Sequence, residues 1–163
     1  SSKSALAMDS IGQQDIRVTP MQMALIGAAI ANDGVVMEPH IVKQTLTSDL
    51  DVISTPKPKE FGRAMSKTTA KHIQEMMVAD VESGTGHRAA ISGVKVAGKT
   101  GTAEINASTP PHVWFVSFAP ADDPKIAVAV VVENSGNAGW NGDGGSVAAP
   151  IAKKVIQAYL GSS

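Results

Sequence analysis

A segment that is apolar at every position constrains the fold of this chain more than any other feature. Residues 126–132 read Ile-Ala-Val-Ala-Val-Val-Val, so both faces of an extended chain here are apolar. Side chains alternate between the two faces of a strand, and a strand that is apolar on both faces is covered on both. We therefore predict an interior strand from Ile126 to Glu133, with other structure packed on each side.

Two further strands are predicted just before this one. The segments Val94–Ala103 and His112–Ala119 are rich in β-branched and aromatic residues, and short linkers rich in Asn, Pro, Ala and Asp separate the three strands. Linkers of this kind join antiparallel neighbours. We therefore expect a three-stranded antiparallel meander.

Helices are predicted on both sides of the strands in sequence. One runs from about Thr19 to Asn32, with a capping box between Thr19 and Gln22 and with Gly34 as its stop. It is apolar on nearly every side, which predicts a central helix that is buried all round. A second, amphipathic helix is predicted from Ser66 to about Glu82, with Gly84 as its stop. Its apolar stripe consists of Ala70, Ile73, Met77 and Val81.

The last helix is predicted from about Val147 to Leu160, after a glycine-rich loop at Ser135–Gly145. Residues 35–61 look irregular, and the prolines of Thr55–Lys59 indicate a loop. Helices, a meander and a closing helix together predict an α+β fold, with an antiparallel sheet flanked by helices. The predicted apolar stripe of the last helix consists of Ile151, Ala152, Val155, Ile156 and Tyr159.

Size and composition exclude several classes of protein. The chain has 163 residues, which is enough for one domain, and we treat residues 1–163 as part of a single domain. A net charge of -1 and an aromatic content of 4% argue against a nucleic-acid partner. The chain has no cysteine, which excludes disulfides and thiolate chemistry. We expect no metal and no cofactor.

The N-terminal residues give no sign of export or membrane insertion. Ser1-Ser2-Lys3-Ser4 does not begin a signal peptide, and no apolar run is long enough to span a membrane. We therefore expect the chain to start inside a longer protein.

The chemically informative segment is Val96–Glu104, which reads Val-Ala-Gly-Lys-Thr-Gly-Thr-Ala-Glu. One interpretation is a phosphate-binding loop, because residues 93–100 fit the pattern G-x-x-x-x-G-K-[ST]. Such a loop opens directly into a helix whose N-terminal amides bind the phosphate. Here the residues around Lys99 are β-branched and extended, and Gly101 follows at once, so the context argues against this interpretation.

The second interpretation is an edge strand beside a cleft, which resembles the Lys-Thr-Gly strand of the penicillin-recognising serine acyltransferases. In such a strand the lysine ammonium supplies positive charge near a nucleophile and a substrate carboxylate. Threonine hydroxyls donate to that carboxylate, and the glycine lets a ligand approach the main chain closely. A backbone N–H that faces the cleft can bind an oxyanion, an interaction worth roughly 3–4 kcal/mol in the transition state.

Other motifs make the resemblance specific. In order and spacing, and over nearly the whole chain, they are similar to those of the class B penicillin-binding proteins, and the actinobacterial elongation or division transpeptidases look nearest. The motifs are Ser10-Ile11-Gly12-Gln13, Val18–Ala24, Ala31–Gly34, Gly84-Thr85-Gly86, Val96–Glu104, His112–Pro120, Gly144-Gly145 and Ala148-Ala149-Pro150.

This resemblance implies an activity for the protein as a whole. The family's D,D-transpeptidases attack the D-Ala-D-Ala end of a peptidoglycan stem peptide through a serine ester and pass the acyl group to an amine. β-Lactams acylate the same serine. The resemblance also implies a penicillin-binding protein or serine β-lactamase-like fold, of which this chain is the C-terminal part. It further implies an N-terminal anchor, a place on the extracytoplasmic face of the bacterial membrane, and contact with the cell-wall synthesis machinery.

The resemblance also implies roles for individual residues. Lys99 is the expected cleft lysine, and Thr100 and Thr102 are expected to hold the substrate carboxylate. The backbone N–H of Thr102 is the expected oxyanion donor, and Gly101 keeps the strand open to substrate.

Two parts of the family's machinery are missing from this sequence. The nucleophilic serine belongs to a helical S-x-x-K motif, and an S-x-N loop follows it. Both should precede Ser10, so we expect them upstream of residue 1, in a segment that completes the domain. This chain alone is then expected to be inactive.

Three segments match these motifs only formally. Ser54-Thr55-Pro56-Lys57 cannot form the required helix because of its proline. Ser92-Gly93-Val94-Lys95 enters a strand, where residues three apart face opposite sides. Ser135-Gly136-Asn137 follows the Lys-Thr-Gly strand instead of preceding it.

Other functions of the same fold stay open. A serine β-lactamase or a β-lactam sensor shares the Lys-Thr-Gly strand, and a non-catalytic scaffold or binding module of this fold needs no nucleophile at all.

Four side chains near the motif have simple expected environments. We expect His112 to be solvated on an edge strand, with contact to substrate as the alternative, and Glu104 to be a surface carboxylate, with a role as a base as the alternative. Lys95 is expected to face solvent. Trp140 is expected to be tucked against the core, with a flexible lid over the cleft as the alternative. His40, His72, His87 and His112 show no metal-binding spacing.

Overall fold

The computed structural model describes residues 3–13 and 16–161, so Ser1 and Ser2 lie outside the described residues. The described part is an α+β fold, as predicted. Its helices are α1 (Lys3–Ser10), α2 (Pro20–Ala31), α3 (Lys67–Ser83) and α4 (Ala149–Gly161). Its strands are β1 (Val35–Met37), β2 (Thr45–Leu46), β3 (Val52–Ser54), β4 (Glu60–Arg63), β5 (Ala97–Ala103), β6 (His112–Ala119) and β7 (Ile126–Val132).

The predicted meander is the centre of the fold. Strands β5, β6 and β7 form an antiparallel sheet in that order, with Gly101 opposite Trp114 and Val116 opposite Ala129. Strand β6 begins and ends at the predicted residues. Strand β5 starts three residues later than predicted, because Val94 instead forms an isolated bridge with Ile91.

The prediction that β7 is covered on both faces is confirmed, although within the described residues the strand lies at an edge of the sheet. Helix α2 packs on one face of β7 and α4 on the other, as two apolar faces require. The outer edge of β7 nevertheless has no neighbouring strand in this part of the chain, and all seven of its residues are only half-buried.

Each face of the sheet has its own apolar core. On one face, Ile30 of α2 and Met77 of α3 pack with Ala97 and Phe118 of the sheet. On the other face, Phe115 packs with residues of α4 and of the segments before β5, which include Ala152, Ile156, Ala89 and Val96. The sheet therefore lies between two helical layers, and Lys99, Gly101 and Trp114 lie on the α2 side.

The caps of α2 and α3 follow the sequence signals. Thr19 Oγ1 accepts a hydrogen bond from the backbone N–H of Gln22, and Gln22 Oε1 accepts one from the N–H of Thr19. Gly34 adopts φ +86 beyond the end of α2, and its N–H donates to Ala29 O at 2.7 Å. Helix α3 begins after Ser66 and ends at Gly84, as predicted.

The prediction that α2 is buried all round is wrong. Met21 is 54% exposed and Ile26 is 46% exposed, whereas Gly27, Ala29 and Ile30 are buried. The helix packs against the sheet on one side only, and its other apolar side borders an open cleft that is described below.

The segment between α2 and α3 is more regular than expected. Strands β1 and β4 pair with each other, and β2 and β3 form a small hairpin. These strands are two to four residues long and largely exposed, so they carry no periodic apolar pattern. Thr55–Lys59 has no regular structure, as its prolines predicted.

The two amphipathic helices differ in how well their stripes were predicted. In α3, Ala70, Met77 and Val81 are buried and Ile73 is half-buried, as expected. In α4, Ala152 and Ile156 are buried, but three other predicted members of the stripe are exposed. The buried row runs through Ala149 instead, because this row and not its neighbour faces the sheet. The exposed members are Ile151, Val155 and Tyr159.

Helix α1 was not predicted. It has no buried residue, so no apolar periodicity in the sequence marks it. Among residues 3–13 and 16–161, no helix combines the length and the apolarity that a membrane crossing needs.

Candidate active site

Strand β5 is extended and lies at the edge of the three-stranded sheet. Its residues Lys99, Thr100 and Gly101 border a cleft of about 650 Å³ between the sheet, α2 and α3. The walls of the cleft are mostly apolar, and they include Met23, Ile26, Ile73, Met76, Trp114 and Val116. The predicted extended strand beside a groove is therefore confirmed, and the phosphate-loop interpretation is wrong because no helix follows Lys99.

The Lys99 side chain curls round its own strand. Successive residues of a strand face opposite sides, yet Lys99 Nζ donates to Thr100 O at 3.1 Å and to Thr100 Oγ1 at 3.2 Å. The ammonium is exposed. The structure therefore brings the predicted lysine and the first predicted threonine together at the rim of the cleft.

Two further residues, Thr85 and Asp80, extend this contact into a chain of hydrogen bonds. Thr100 Oγ1 lies 2.6 Å from Thr85 Oγ1, and Thr85 Oγ1 donates to Asp80 Oδ1 at 3.0 Å. The backbone N–H of Thr85 also donates to Asp80 Oδ1, at 3.1 Å. The cleft lysine is thereby connected through two hydroxyls to a carboxylate at the end of α3.

The Asp80 carboxylate is closely enclosed. A Cβ on Gly84 would lie 2.5 Å from Asp80 Oδ1, and one on Gly86 would lie 2.8 Å from Asp80 Oδ2. Asp80 Oδ2 is buried and has no hydrogen-bond partner in the part of the chain that the structure describes. The glycines of the Gly84-Thr85-Gly86 motif therefore make room for this carboxylate.

Thr102 lies further along β5, where the strand opens to solvent. Its side chain is exposed, and its carbonyl accepts a hydrogen bond from Gln13 Nε2 at 3.1 Å. Thr102 borders two further depressions of about 700 and 410 Å³. One also contains Glu104 and Trp140, and the other also contains His112.

Gly101 borders the cleft, but other parts of the fold also pack closely against it. A Cβ at this position would lie 3.2 Å from Cβ of its cross-strand partner Trp114. On Gly144, a Cβ would lie 2.9 Å from both N and O of Gly101. The close approach that a glycine allows is therefore used here by the turn that precedes α4.

None of the formally matching serines is placed like a nucleophile. Ser54 ends β3 and no helix follows it, while Ser92 lies in a turn with Gly93 at φ +77. Ser135 is fully buried, and its hydroxyl donates to Pro111 O at 2.9 Å. This geometry agrees with the expectation that these three serines match the motifs only formally.

Two of the four simple expectations for neighbouring side chains are wrong. His112 is half-buried, and its Nδ1 accepts the N–H of Asn134 at 3.0 Å, so it is held by the following loop instead of being solvated. Trp140 is 61% exposed, because the 3₁₀ turns of residues 133–141 keep it on the surface.

The expectation for Glu104 agrees with the structure, and that for Lys95 agrees in part. Glu104 is exposed, as predicted. Lys95 is partly exposed, but it forms a salt bridge with Asp122 at 2.9 Å. The hydrogen bond and the charge of Asp122 raise the pKa of Lys95 above its ordinary value.

Asp80 and Thr85 were not predicted as parts of the site. Thr85 contributed only to the pattern of motifs, and Asp80 was not singled out. The one available signal is a carboxylate close before a Gly-Thr-Gly turn, which is too common to be informative alone. Residues 3–13 and 16–161 contain no group of three or more His, Asp or Glu side chains placed to hold a metal ion.

Comparison with known proteins agrees with this geometry. Residues 1–157 match the family model for the penicillin-binding protein transpeptidase domain. The chain belongs to this family.

Similar proteins within the family come from mycobacteria. The chain is 47% identical over 159 residues to the peptidoglycan D,D-transpeptidase PbpA of Mycolicibacterium smegmatis, and 45% identical to PbpA of Mycobacterium tuberculosis. Each alignment covers 96% of this chain. The structure resembles a ceftriaxone acyl-enzyme complex of penicillin-binding protein A from M. tuberculosis, with a TM-score of 0.91 and 44% identity over 96% of this chain and 36% of that one.

The chain spans about a third of the length of these curated relatives, since the alignments cover 32% of each.

Proposed function

We propose that this chain is part of a peptidoglycan D,D-transpeptidase that cross-links stem peptides through a serine acyl-enzyme and is acylated by β-lactams. One observation carries the proposal: β5 presents the Lys99 ammonium, held by Thr100, at the rim of an apolar cleft. Relatives named as D,D-transpeptidases and solved as β-lactam acyl-enzymes support the choice over a β-lactamase, a sensor or a scaffold.

Four consecutive residues of β5, Lys99 to Thr102, have a proposed part in the reaction. The nucleophilic hydroxyl attacks the carbonyl carbon of the penultimate D-Ala, and a negative charge develops on the carbonyl oxygen. Because β5 is an edge strand, alternate N–H groups point away from β6, and that of Thr102 is the proposed donor to this oxygen. Lys99 supplies positive charge beside the nucleophile and the terminal carboxylate.

The carboxylate of the substrate needs hydroxyl donors as well. Thr100 and Thr102 are proposed to hold it, and Gly101 between them leaves the strand without a side chain where the substrate lies. Collapse of the tetrahedral intermediate releases D-Ala and leaves the serine ester, which the amine of a neighbouring stem peptide then attacks.

The nucleophile is proposed to come from a segment of the domain outside these 163 residues. No S-x-x-K sequence of this chain forms a helix. The cleft offers a place for one, since α2 and α3 expose apolar side chains towards the edge of β5. An amphipathic helix seated there would cover Met76 and Ile26 and bring its polar residues close to Lys99. The proposal further places the whole protein at the extracytoplasmic face of the membrane, beside the cell-wall synthesis machinery.

A fluorescent penicillin tests the proposed function. The longer parent protein should be labelled covalently at one site, and the 163-residue chain alone should not be labelled. In the parent, Lys99→Met should slow acylation by about 100-fold, the effect of removing one electrostatic stabiliser of the transition state.

The matched control is Lys71→Met, which removes an exposed lysine of α3 and should leave the rate unchanged. Stoichiometric labelling of the isolated chain, or a Lys99→Met parent that reacts as fast as the control, would contradict the proposal.

A further inference from the structure

Asp80 and Thr85 lie beside Thr100 of the Lys-Thr-Gly strand, and Asp80 also lines the cleft, but neither has a part in the chemistry proposed above. We infer that they are positioning residues: they fix the hydroxyl of Thr100 as an acceptor and, through it, the ammonium of Lys99. The inference rests on the proposed function, because it concerns the same site.

The chemistry at the two ends of the chain sets the direction of its hydrogen bonds. An ammonium only donates, and an ionised carboxylate only accepts. Asp80 Oδ1 therefore takes the hydroxyl proton of Thr85, at 3.0 Å. Thr85 Oγ1 then has only lone pairs to offer, so the proton in the 2.6 Å contact belongs to Thr100.

With its proton turned towards Thr85, Thr100 presents a lone pair to Lys99 Nζ at 3.2 Å. Without Thr85, the Thr100 proton loses this fixed acceptor, and the hydroxyl can rotate towards other acceptors such as a substrate carboxylate. The hydroxyl of Thr85 therefore fixes Thr100 in the orientation in which it accepts from Lys99.

The carboxylate that drives this direction is itself held in place. Asp80 Oδ1 accepts the backbone N–H of Thr85 in addition to its hydroxyl. Gly84 and Gly86 pack so closely on the two carboxylate oxygens that neither position has room for a Cβ. Asp80 consequently has little freedom to turn, which suits a residue that orients others.

The same geometry gives Thr100 and Thr102 different roles. The single hydroxyl proton of Thr100 is already donated to Thr85, so the substrate carboxylate must compete with Thr85 for it. The Thr102 side chain is exposed, and it is therefore the principal hydroxyl donor to the substrate, while Thr100 mainly positions Lys99.

The test separates binding from chemistry in the parent enzyme. We would measure the non-covalent dissociation constant of a fluorescent penicillin and the rate constant of the acylation step that follows, for wild type, Thr85→Val and Thr85→Ser. Thr85→Val should slow the acylation step about fivefold, as the loss of one net hydrogen bond predicts. It should leave the dissociation constant unchanged or slightly lower, because the Thr100 proton becomes available to the carboxylate. Thr85→Ser keeps the hydroxyl and should restore the rate.

Asp80→Asn provides a second and independent variant. The backbone N–H of Thr85 keeps the amide oxygen of Asn at the position of Oδ1, where it accepts from Thr85 without a negative charge. The weaker acceptor should loosen the orientation of Thr85 and Thr100, so acylation should be slower without weaker binding. If Thr85→Val does not fold, the acylation rate of Asp80→Asn provides the test. Thr68→Val, on the exposed face of α3, is the matched control.

The outcomes distinguish the two proposals. A wild-type parent that penicillin does not acylate overturns the proposed function. A wild-type parent that is acylated, with Thr85→Val or Asp80→Asn equally fast, overturns this inference alone. So does a Thr85→Val variant in which binding weakens and the acylation step is unchanged, or a Thr85→Ser variant that is as slow as Thr85→Val.

Discussion

Gly144 packs against the main chain of Gly101 so closely that residue 144 has no room for a side chain. A Cβ there would lie 2.9 Å from both N and O of Gly101 and 2.3 Å from the carbonyl oxygen of Trp114. These are backbone atoms of β5 and β6, which cannot move without disturbing the sheet. The turn that precedes α4 therefore braces the Lys-Thr-Gly strand from behind.

Gly144→Ala should consequently destabilise the protein by about 1–3 kcal/mol, the usual cost of overpacking a tight interior. In the parent enzyme it should also slow acylation by penicillin, because the clash displaces Gly101. Urea denaturation and the labelling rate measure the two effects. Gly161→Ala is the control, since a Cβ there meets nothing within 4 Å. If both variants are equally stable, the bracing contact is not as tight as the geometry shows.

Gly98→Ala is expected to damage the packing of β5 on the face of the sheet that is turned towards α4. A Cβ on residue 98 would lie 2.3 Å from Cζ of Phe115, whose side chain is fully buried. We expect a loss of about 1–3 kcal/mol in the free energy of unfolding, measured by urea denaturation. Gly62→Ala in β4 faces open space and should change stability by less than about 0.5 kcal/mol. A Gly98→Ala protein as stable as the Gly62→Ala protein would be inconsistent with this packing.

Ser135 is predicted to be structural and not catalytic. Its hydroxyl is fully buried and donates to Pro111 O at 2.9 Å, so Ser135→Ala leaves a carbonyl without that donor. We expect a loss of about 1–3 kcal/mol in stability, while the folded parent should still bind one penicillin covalently. Ser48→Ala, on an exposed turn, is the control for stability. Loss of labelling in a Ser135→Ala protein that remains folded would show that the serine has a chemical role.

The elements that the sequence predicted best are those whose signals are local. The capping box of Thr19 and Gln22 and the Ser66 and Gly84 signals placed the ends of α2 and α3. The β-branched and aromatic residues of His112–Ala119 placed β6. Short exposed strands such as β2 and β3 bury nothing, so no apolar period could indicate them.

Burial was harder to predict than secondary structure, because it depends on what packs against each face. The apolar surface of α2 predicted a helix buried all round, yet Met21 and Ile26 are exposed, and Ile26 lines the cleft. In α4, the predicted stripe combined residues of two neighbouring rows, and only the row that contains Ala152 and Ile156 is buried.

In the candidate site, too, local features could be predicted and contacts between distant residues could not. The Lys99-Thr100-Gly101 motif and its extended conformation could be predicted, because they depend on the local sequence. The contact between Thr100 and Thr85 joins residues 15 positions apart, and that between Gly101 and Gly144 joins different elements of the fold. Neither leaves a pattern in a single sequence.

Asp143 should make the stability of the turn that precedes α4, and packs against Gly101, depend on pH in the acid range. The hydrogen bond from the Ser146 hydroxyl, at 2.8 Å, and those from the N–H groups of Ser146 and Gly145 hold the pKa of Asp143 below its ordinary value of 3.8. The unfolded chain therefore binds the proton more readily than the folded one. The stabilisation is present above the ordinary pKa and is lost as the pH falls through the lower pKa of the folded state.

Asp143→Asn removes this charge but keeps an acceptor, so wild type should be more stable than the variant near neutral pH. The difference should shrink as the pH is lowered from about 5 to about 2, and urea denaturation at several pH values measures it. Ser146→Ala removes the hydroxyl donor that contributes most to the low pKa, so it should reduce the same pH dependence. An Asp143→Asn variant whose stability differs from wild type by the same amount at every pH would show that this carboxylate does not stabilise the turn beneath Gly101 through its charge.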